Sequence, residues 1–217
     1  MKGNRPRVKR TRHYHSKRRH AQALLTRAAV IDAAERLFLR DGYAPTTIAS
    51  IAGAAGASPE TVYSIFRGKP GLVRAICKRG LAGVGRVPAE QRSDRMRMRE
   101  TDPRKIIANW GRFVMEVAPR VSPILLLVRA AAASDKGMAT LLLDMDRDRR
   151  KRMTINARHL FDAGHLGAGI TLGEAIDVLW TFSSAELYEL LVLRQGWAIK
   201  RYGRFVAKAM TAALLPP

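Results

Sequence analysis

At 217 residues, with 47% apolar and 26% charged side chains, the chain can form one large domain or two small ones around a real core. It is strongly basic, with a formal net charge of +21 and a pI near 11.3, so polyanions are the first partners to consider. One cysteine, Cys77, excludes an intrachain disulfide framework, and no apolar run reaches the roughly 18–20 residues of a membrane helix. A cytoplasmic chain with no membrane partner is expected.

The charge is concentrated at the start. Residues 1–31 hold ten Lys/Arg and no acid before Asp32. Residues 1–25 lack periodic apolar positions and read as a disordered basic arm. Its Arg5, Arg7, Lys9, Arg10, Arg12, Lys17, Arg18 and Arg19 are suited to follow DNA phosphates or enter a minor groove. His13, His15 and His20 lie there too, but nothing nearby would order them, so no metal is expected.

Beyond the arm, apolar spacings of three and four recur and strand-like alternation is absent, which predicts an all-α chain of about nine helices. The first helix starts after the N-cap Thr26, buries Ile31, Ala34, Leu37 and Phe38, and stops at Gly42. The second follows Thr47 with Ile48, Ile51, Ala52 and Ala55 inward, and ends at Gly56. A short third helix opens with Ser58 as cap and Pro59 at its first position, running to about Phe66. A fourth begins at Lys69–Pro70. Pro88 to Arg99 reads as a charged connector. Asp102-Pro103 and Ser122-Pro123 each look like a helix start, a long helix runs from Met138 to Ala163, and Thr171 with Glu174 forms a capping box for a helix reaching about Leu193. The last helix carries Tyr202, Phe205, Val206, Ala209, Met210 and Ala213 on one face.

The second and third helices, joined by Ala55-Gly56-Ala57-Ser58, make a helix-turn-helix whose short second member can enter a major groove end-on. The run Ile31-Asp32-Ala33-Ala34-Glu35-Arg36-Leu37-Phe38, then Asp41-Gly42-Tyr43, Thr46-Thr47-Ile48, Ala55-Gly56-Ala57-Ser58, Thr61-Val62-Tyr63, Phe66 and Lys69, resembles the N-terminal domain of the TetR family of ligand-responsive transcriptional regulators. Arg129 to Asp135, Asp177 to Trp180 and Glu186-Leu187-Tyr188 resemble the C-terminal domain of one subgroup. The resemblance implies a helix-turn-helix DNA-binding domain over 26–80 and a helical effector-binding and dimerisation domain over 81–217.

By position, it assigns DNA phosphate contacts to Thr47, Tyr63 and Lys69. Base-facing candidates are Ala49 and Ser50 on the second helix and Pro59, Glu60, Thr61 and Ser64 on the third; Glu60 can accept from a cytosine amino group and Thr61 can touch a thymine methyl. Pro70-Gly71 departs from the family and is expected to weaken the first turn of the fourth helix. The resemblance also implies homodimerisation through the last two helices, hence a palindromic operator in double-stranded DNA. Thr181, Ser183, Ser184 and Ala185 offer small residues for close approach there.

A pocket for a small hydrophobic effector is expected around the aromatics Trp110, Phe113 and Trp180 and the amide Asn156, which shares a stripe with Met153 and Leu160. No cofactor is implied. An enzyme is not expected: there is no glycine-rich phosphate loop, nucleophile elbow or zinc-binding histidine pair, and Asp144, Asp146 and Asp148 alternate with arginines as on a solvated charged face. The function expected is a sequence-specific regulator, a repressor by family habit. The alternative is a largely nonspecific, nucleoid-associated DNA-binding protein driven by the arm.

Overall fold

The structure, a computed structural model, describes the backbone of residues 9–217 and side chains from Arg18 onward. Ten α-helices and one π-helical segment make up the regular structure among the described residues, so the chain is all-α. They form two compact units that divide between Leu72 and Val73, inside one helix.

The first unit contains α1 (Lys9–Asp41), α2 (Ile48–Ala55), α3 (Pro59–Phe66) and the first turn of α4 (Lys69–Ala82). The start of α1 differs from expectation. The helix begins at Lys9, not after Thr26, and so takes in most of the segment read as an arm. Ala21-Gln22-Ala23-Leu24-Leu25 are all good helix formers, so propensity extends the helix where no core demands it; Leu24 and Leu25 stay 55% and 65% exposed. Arg18 and Arg19 are exposed on this extension. Arg5 and Arg7 lie outside the described residues, as do the side chains of Lys9, Arg10, Arg12 and Lys17. The core holds the expected set, Ile31, Ala34, Leu37 and Phe38 of α1 with Ile48, Ile51 and Ala52 of α2 and Val62 and Phe66 of α3.

The second unit contains the rest of α4, α5 (Ala89–Arg99), α6 (Pro103–Ala132), α7 (Lys136–Asp162), α8 (Leu172–Phe182), α9 (Ala185–Tyr188), a π-helical segment (Glu189–Arg194) and α10 (Ile199–Leu214). Ile106, Ile107, Trp110, Leu160, Leu179 and Val206 are among its core residues. The helices α6 and α10 meet at two glycines. A Cβ on Gly111 would lie 2.7 Å from the Gly203 carbonyl oxygen, and one on Gly203 would lie 2.1 Å from Met115 Cγ.

Three elements differ from the sequence reading. Pro88 to Arg99 contains a full helix, α5, pinned by polar contacts: Arg152 Nη1 donates to Asp94 at 2.9 Å, Arg92 Nη2 to Glu116 at 2.5 Å and Asn109 Nδ2 to Ser93 at 3.2 Å. Ser122 is not a cap. It is buried within the continuous α6, which passes through Pro119 and Pro123. A proline inside a helix costs about 3 kcal/mol, but the buried series Val114, Val117, Ala118, Val121, Ile124, Val128 keeps helical spacing across both prolines. The helix opened by Thr171 stops at Phe182 instead of reaching Leu193. There Arg149 Nη1 and Ser183 Oγ both donate to the Trp180 carbonyl, at 2.8 and 3.0 Å, and Ser184 caps the next helix.

Candidate nucleic-acid interface and ligand cavity

The α2–α3 pair is set by its caps. Thr47 Oγ1 accepts from the Ser50 N–H at 3.0 Å while Ser50 Oγ accepts from the Thr47 N–H at 3.1 Å, a reciprocal capping box. Gly56 ends α2 in the left-handed conformation, φ +63°. Ser58 Oγ then accepts from the Thr61 N–H at 3.2 Å and Pro59 takes the first helical position of α3. Val62 and Phe66 face the core, so the opposite face of α3 points outward: Pro59, Glu60, Tyr63 and Ser64 are exposed and Thr61 is half-buried.

This outward face carries chemistry suited to DNA. Tyr63 leaves 55% of its surface exposed, and a phenol of this kind can reach a phosphate. Thr47 and Ala49 are exposed at the start of α2, close to the N-terminal dipole. The Glu60 carboxyl is held below its ordinary range by its own backbone N–H and then by the Ser58 hydroxyl, so it is an ionised acceptor at neutral pH. Ser50, expected to face bases, is also exposed, but its hydroxyl is committed to Thr47 and donates to the Thr47 carbonyl at 2.8 Å.

Lys69 has a different surrounding from the one expected of a phosphate ligand. Its Nζ donates to the carbonyls of Tyr43 at 2.7 Å, Thr46 at 3.0 Å and Ala44 at 3.4 Å, and lies 4.1 Å from the Tyr43 ring centre. The ammonium thus binds the turn that delivers the chain into α2. Thr46, to which the sequence assigned no role of its own, works beside it: buried, it donates to the Gly42 carbonyl at 2.7 Å and closes the end of α1. Gly71 has a role too. A Cβ there would sit 1.8 Å from the Phe66 carbonyl oxygen, so the residue that looked like a weakness is what lets α4 start so close behind α3.

The second unit contains a cavity of about 450 Å³ that is partly open to solvent. Trp110, Phe113, Phe182 and Tyr202 supply aromatic walls. Asn156 is buried against it and its Oδ1 has no hydrogen-bond partner among the described residues. Trp180, expected here, is not on the lining; its ring carries the Arg149 guanidinium at 3.4 Å. The aspartate–arginine stretch of α7 is only partly solvated, because Asp146, Arg149 and Arg152 reach the cavity wall. Burial lowers the Arg149 pKa against the opposing field of Asp146. Ser183 and Ser184 also line the cavity. The apolar face of α10 divides in two: Tyr202, Val206 and Met210 are buried, whereas Phe205 is 38% exposed and Ala213 exposed.

Residues 30–76 match the sequence model of the bacterial regulatory proteins of the tetR family. The N-terminal unit is a TetR-family helix-turn-helix domain. The chain is 43% identical over 60 residues to the HTH-type transcriptional regulator TtgR of Pseudomonas putida. That alignment spans 28% of this chain and 29% of TtgR, so under a third of the curated relative is matched. Across nearly the whole chain the TetR-type fold is shared with a SmeT–triclosan complex, at TM-score 0.70 and 24% identity over 88% of this chain and 92% of that one. It is also shared with NalD, described as the secondary repressor of the MexAB-OprM multidrug efflux pump in Pseudomonas aeruginosa, at TM-score 0.59 and 18% identity over 88% and 95% of the two chains. No helix among the described residues is long and apolar enough to cross a membrane.

Proposed function

We propose that this chain is a DNA-binding transcriptional regulator that reads a palindromic operator as a homodimer and releases it when a small, mainly apolar molecule enters the C-terminal cavity. The observation that carries the reading is the outward face of α3, where Pro59, Glu60, Tyr63 and Ser64 are exposed while Val62 and Phe66 anchor the helix from behind. Thr47 and Tyr63 are placed to hold phosphates. Ala49, Pro59, Glu60, Thr61 and Ser64 are placed to meet bases. The basic residues of α1, with Arg18 and Arg19 exposed, add sequence-independent attraction.

Dimerisation through the last helices is supported by apolar side chains left uncovered there. Phe205 of α10 is 38% exposed, and Leu190 and Leu193 of the π-helical segment are 50% and 52% exposed. Response to a ligand is supported by α4, a continuous helix that begins at Lys69 and places Cys77 and Leu81 on the cavity lining. A ligand that prefers the low-affinity conformer by ~100-fold supplies about 2.7 kcal/mol against DNA binding. The sign, repression, follows NalD and SmeT, the latter the repressor of a Stenotrophomonas maltophilia multidrug efflux pump.

The test is selection of genomic fragments bound by the full chain at about 150 mM salt in the presence of excess unrelated DNA. A shared inverted repeat with half-sites about 10 base pairs apart, or a multiple, is the expected result. A featureless collection that follows only total charge would instead establish a nonspecific DNA-coating protein.

A further inference from the structure

We infer that the π-helical segment Glu189–Arg194 is a two-register switch: rings of the cavity wall hold its wide turn, and the wide turn presents the leucines with which a second copy associates. The inference rests on the proposed homodimer and names how its strength is regulated.

A π turn takes one residue more per hydrogen bond than an α turn, so it is rare and often marks a functional position. Three contacts hold this one wide. The Gln195 N–H donates to the Leu190 carbonyl at 3.2 Å and the Trp197 N–H to the Leu191 carbonyl at 3.0 Å, spacings of five and six residues. Arg194 Nη2 donates to Glu189 Oε1 at 2.7 Å, again across five residues. In an α-helix, residues five apart point about 140° away from each other, and side-chain pairs form at spacings of three and four. The Glu189–Arg194 pair therefore favours the wide register over the α-helical one. In that register Leu190 and Leu193 stand exposed on the outer side. A shift of one residue in register turns the side chains that follow by about 100°, which would break up this apolar surface.

On the inner side, ring contacts bracket the segment. Before it, Tyr188 meets Tyr202 edge-on, with 5.6 Å between ring centres. After it, Gly196 turns the chain at φ +68° and Trp197 meets Phe205 edge-on at 5.5 Å. Phe205 in turn lies 6.4 Å from Phe182, and the Arg201 guanidinium lies 3.7 Å from the centre of the Trp197 ring. Tyr202 and Phe182 both line the cavity. A displaced cavity ring thus acts on either end of the segment, and a packed element answers by passing between discrete arrangements.

The experiment measures dimer dissociation by sedimentation equilibrium, and amide exchange at Gln195 and Trp197, for the full natural chain and three variants. Phe182→Leu removes the ring at the cavity wall. It is expected to weaken association at least about tenfold and to speed exchange of both amides. Glu189→Gln leaves the core untouched and is expected to speed the same two amides. Ile107→Val, a loss of volume elsewhere in the core, is expected to change neither quantity. Natural association in Phe182→Leu, or exchange unaltered in both Phe182→Leu and Glu189→Gln, overturns the switch and leaves the homodimer standing. Equal weakening by Ile107→Val also overturns it, because general loosening would then explain the loss. A natural protein that stays monomeric overturns the switch and the homodimer together. Altered association and exchange in a protein that selects no inverted repeat support the switch and overturn the regulatory reading.

Discussion

The Lys69 ammonium lies 2.7 Å from the carbonyl oxygen of Tyr43 and 4.1 Å from the centre of the same residue's ring. It also donates to the Thr46 carbonyl, one residue before the N-cap of α2. This cation fixes where α2 begins, and α2 packs against α3. Any influence of Lys69 on DNA binding is therefore expected to run through the position of the helix pair. Lys69→Met is expected to lose about 2 kcal/mol or more of stability, since hydrogen bonds to a charged group are each worth about 1.5–3 kcal/mol. The deciding measurement is the salt dependence of operator binding. A brace leaves the slope of log affinity against log salt unchanged, whereas removing a phosphate contact lowers it by about one. A slope reduced by one would return Lys69 to the phosphate-binding set.

Gly71 sits where a methyl group would meet the Phe66 carbonyl oxygen at 1.8 Å. The obstacle is backbone and cannot swing away. Gly71→Ala is therefore expected to destabilise the N-terminal unit by about 1–3 kcal/mol, despite alanine's better helix propensity. Urea unfolding followed by the exchange of amides in α3 measures this. A variant as stable as the natural protein would show that α3 and α4 can part at no cost.

The helix-turn-helix was legible in the sequence because its signals are local. Thr47, Gly56, Ser58 and Pro59 each announce a helix boundary through an atom in their own side chain or through backbone freedom, and the structure uses all four as caps or starts. The same local logic misplaced the starts and ends that tertiary packing decides. Ser122-Pro123 carries a start signal, yet the buried series from Val114 to Val128 runs through it. Pro88 to Arg99 lacks an apolar stripe, but partners distant in sequence, Glu116 and Arg152, hold α5 in place. Asn156 was legible at the cavity because it interrupts an apolar stripe. The placing of Trp180 was not, because a ring on an amphipathic helix can turn toward either a cavity or a cation, and Arg149 lies 31 residues earlier in the chain.

Glu116 joins three parts of the second unit. Its Oε1 accepts from the Val84 N–H at 2.7 Å and from Arg92 Nη2 at 2.5 Å, while Gly83 leaves room for it. Desolvation pushes the Glu116 carboxyl up, but Arg92 and the Val84 N–H together bring it below its ordinary value. A group whose pKa is lower in the folded state contributes stability above its unfolded value and loses it as pH falls through the folded one. Glu116→Gln is accordingly expected to be less stable than the natural protein by about 1–2 kcal/mol at neutral pH. The gap should narrow as the pH drops below about 4. Thermal melting of both proteins across that range tests this, and a gap independent of pH would mean that the carboxylate charge is not what holds the turn.

Arg149 lies at the break between α8 and α9. It is stacked 3.4 Å from the Trp180 ring, donates to the Trp180 carbonyl and to Ser183 Oγ, and borders the cavity. Its side chain is only 19% exposed, so the guanidinium is largely out of water. The arrangement needs a planar fork that can stack and donate at once. Lysine keeps the charge but has neither the plane nor the second arm. Arg149→Lys is expected to lose about 1–2 kcal/mol of stability. It should also weaken ligand binding, because the Trp180 carbonyl would lose a donor at the wall that Ser183 helps to form. Paired melting curves check the loss of stability, and operator release by an effector checks the second effect. If Arg149→Lys melted with the natural protein and kept its ligand response, the charge alone would suffice and the stacked geometry would have no bearing on the cavity.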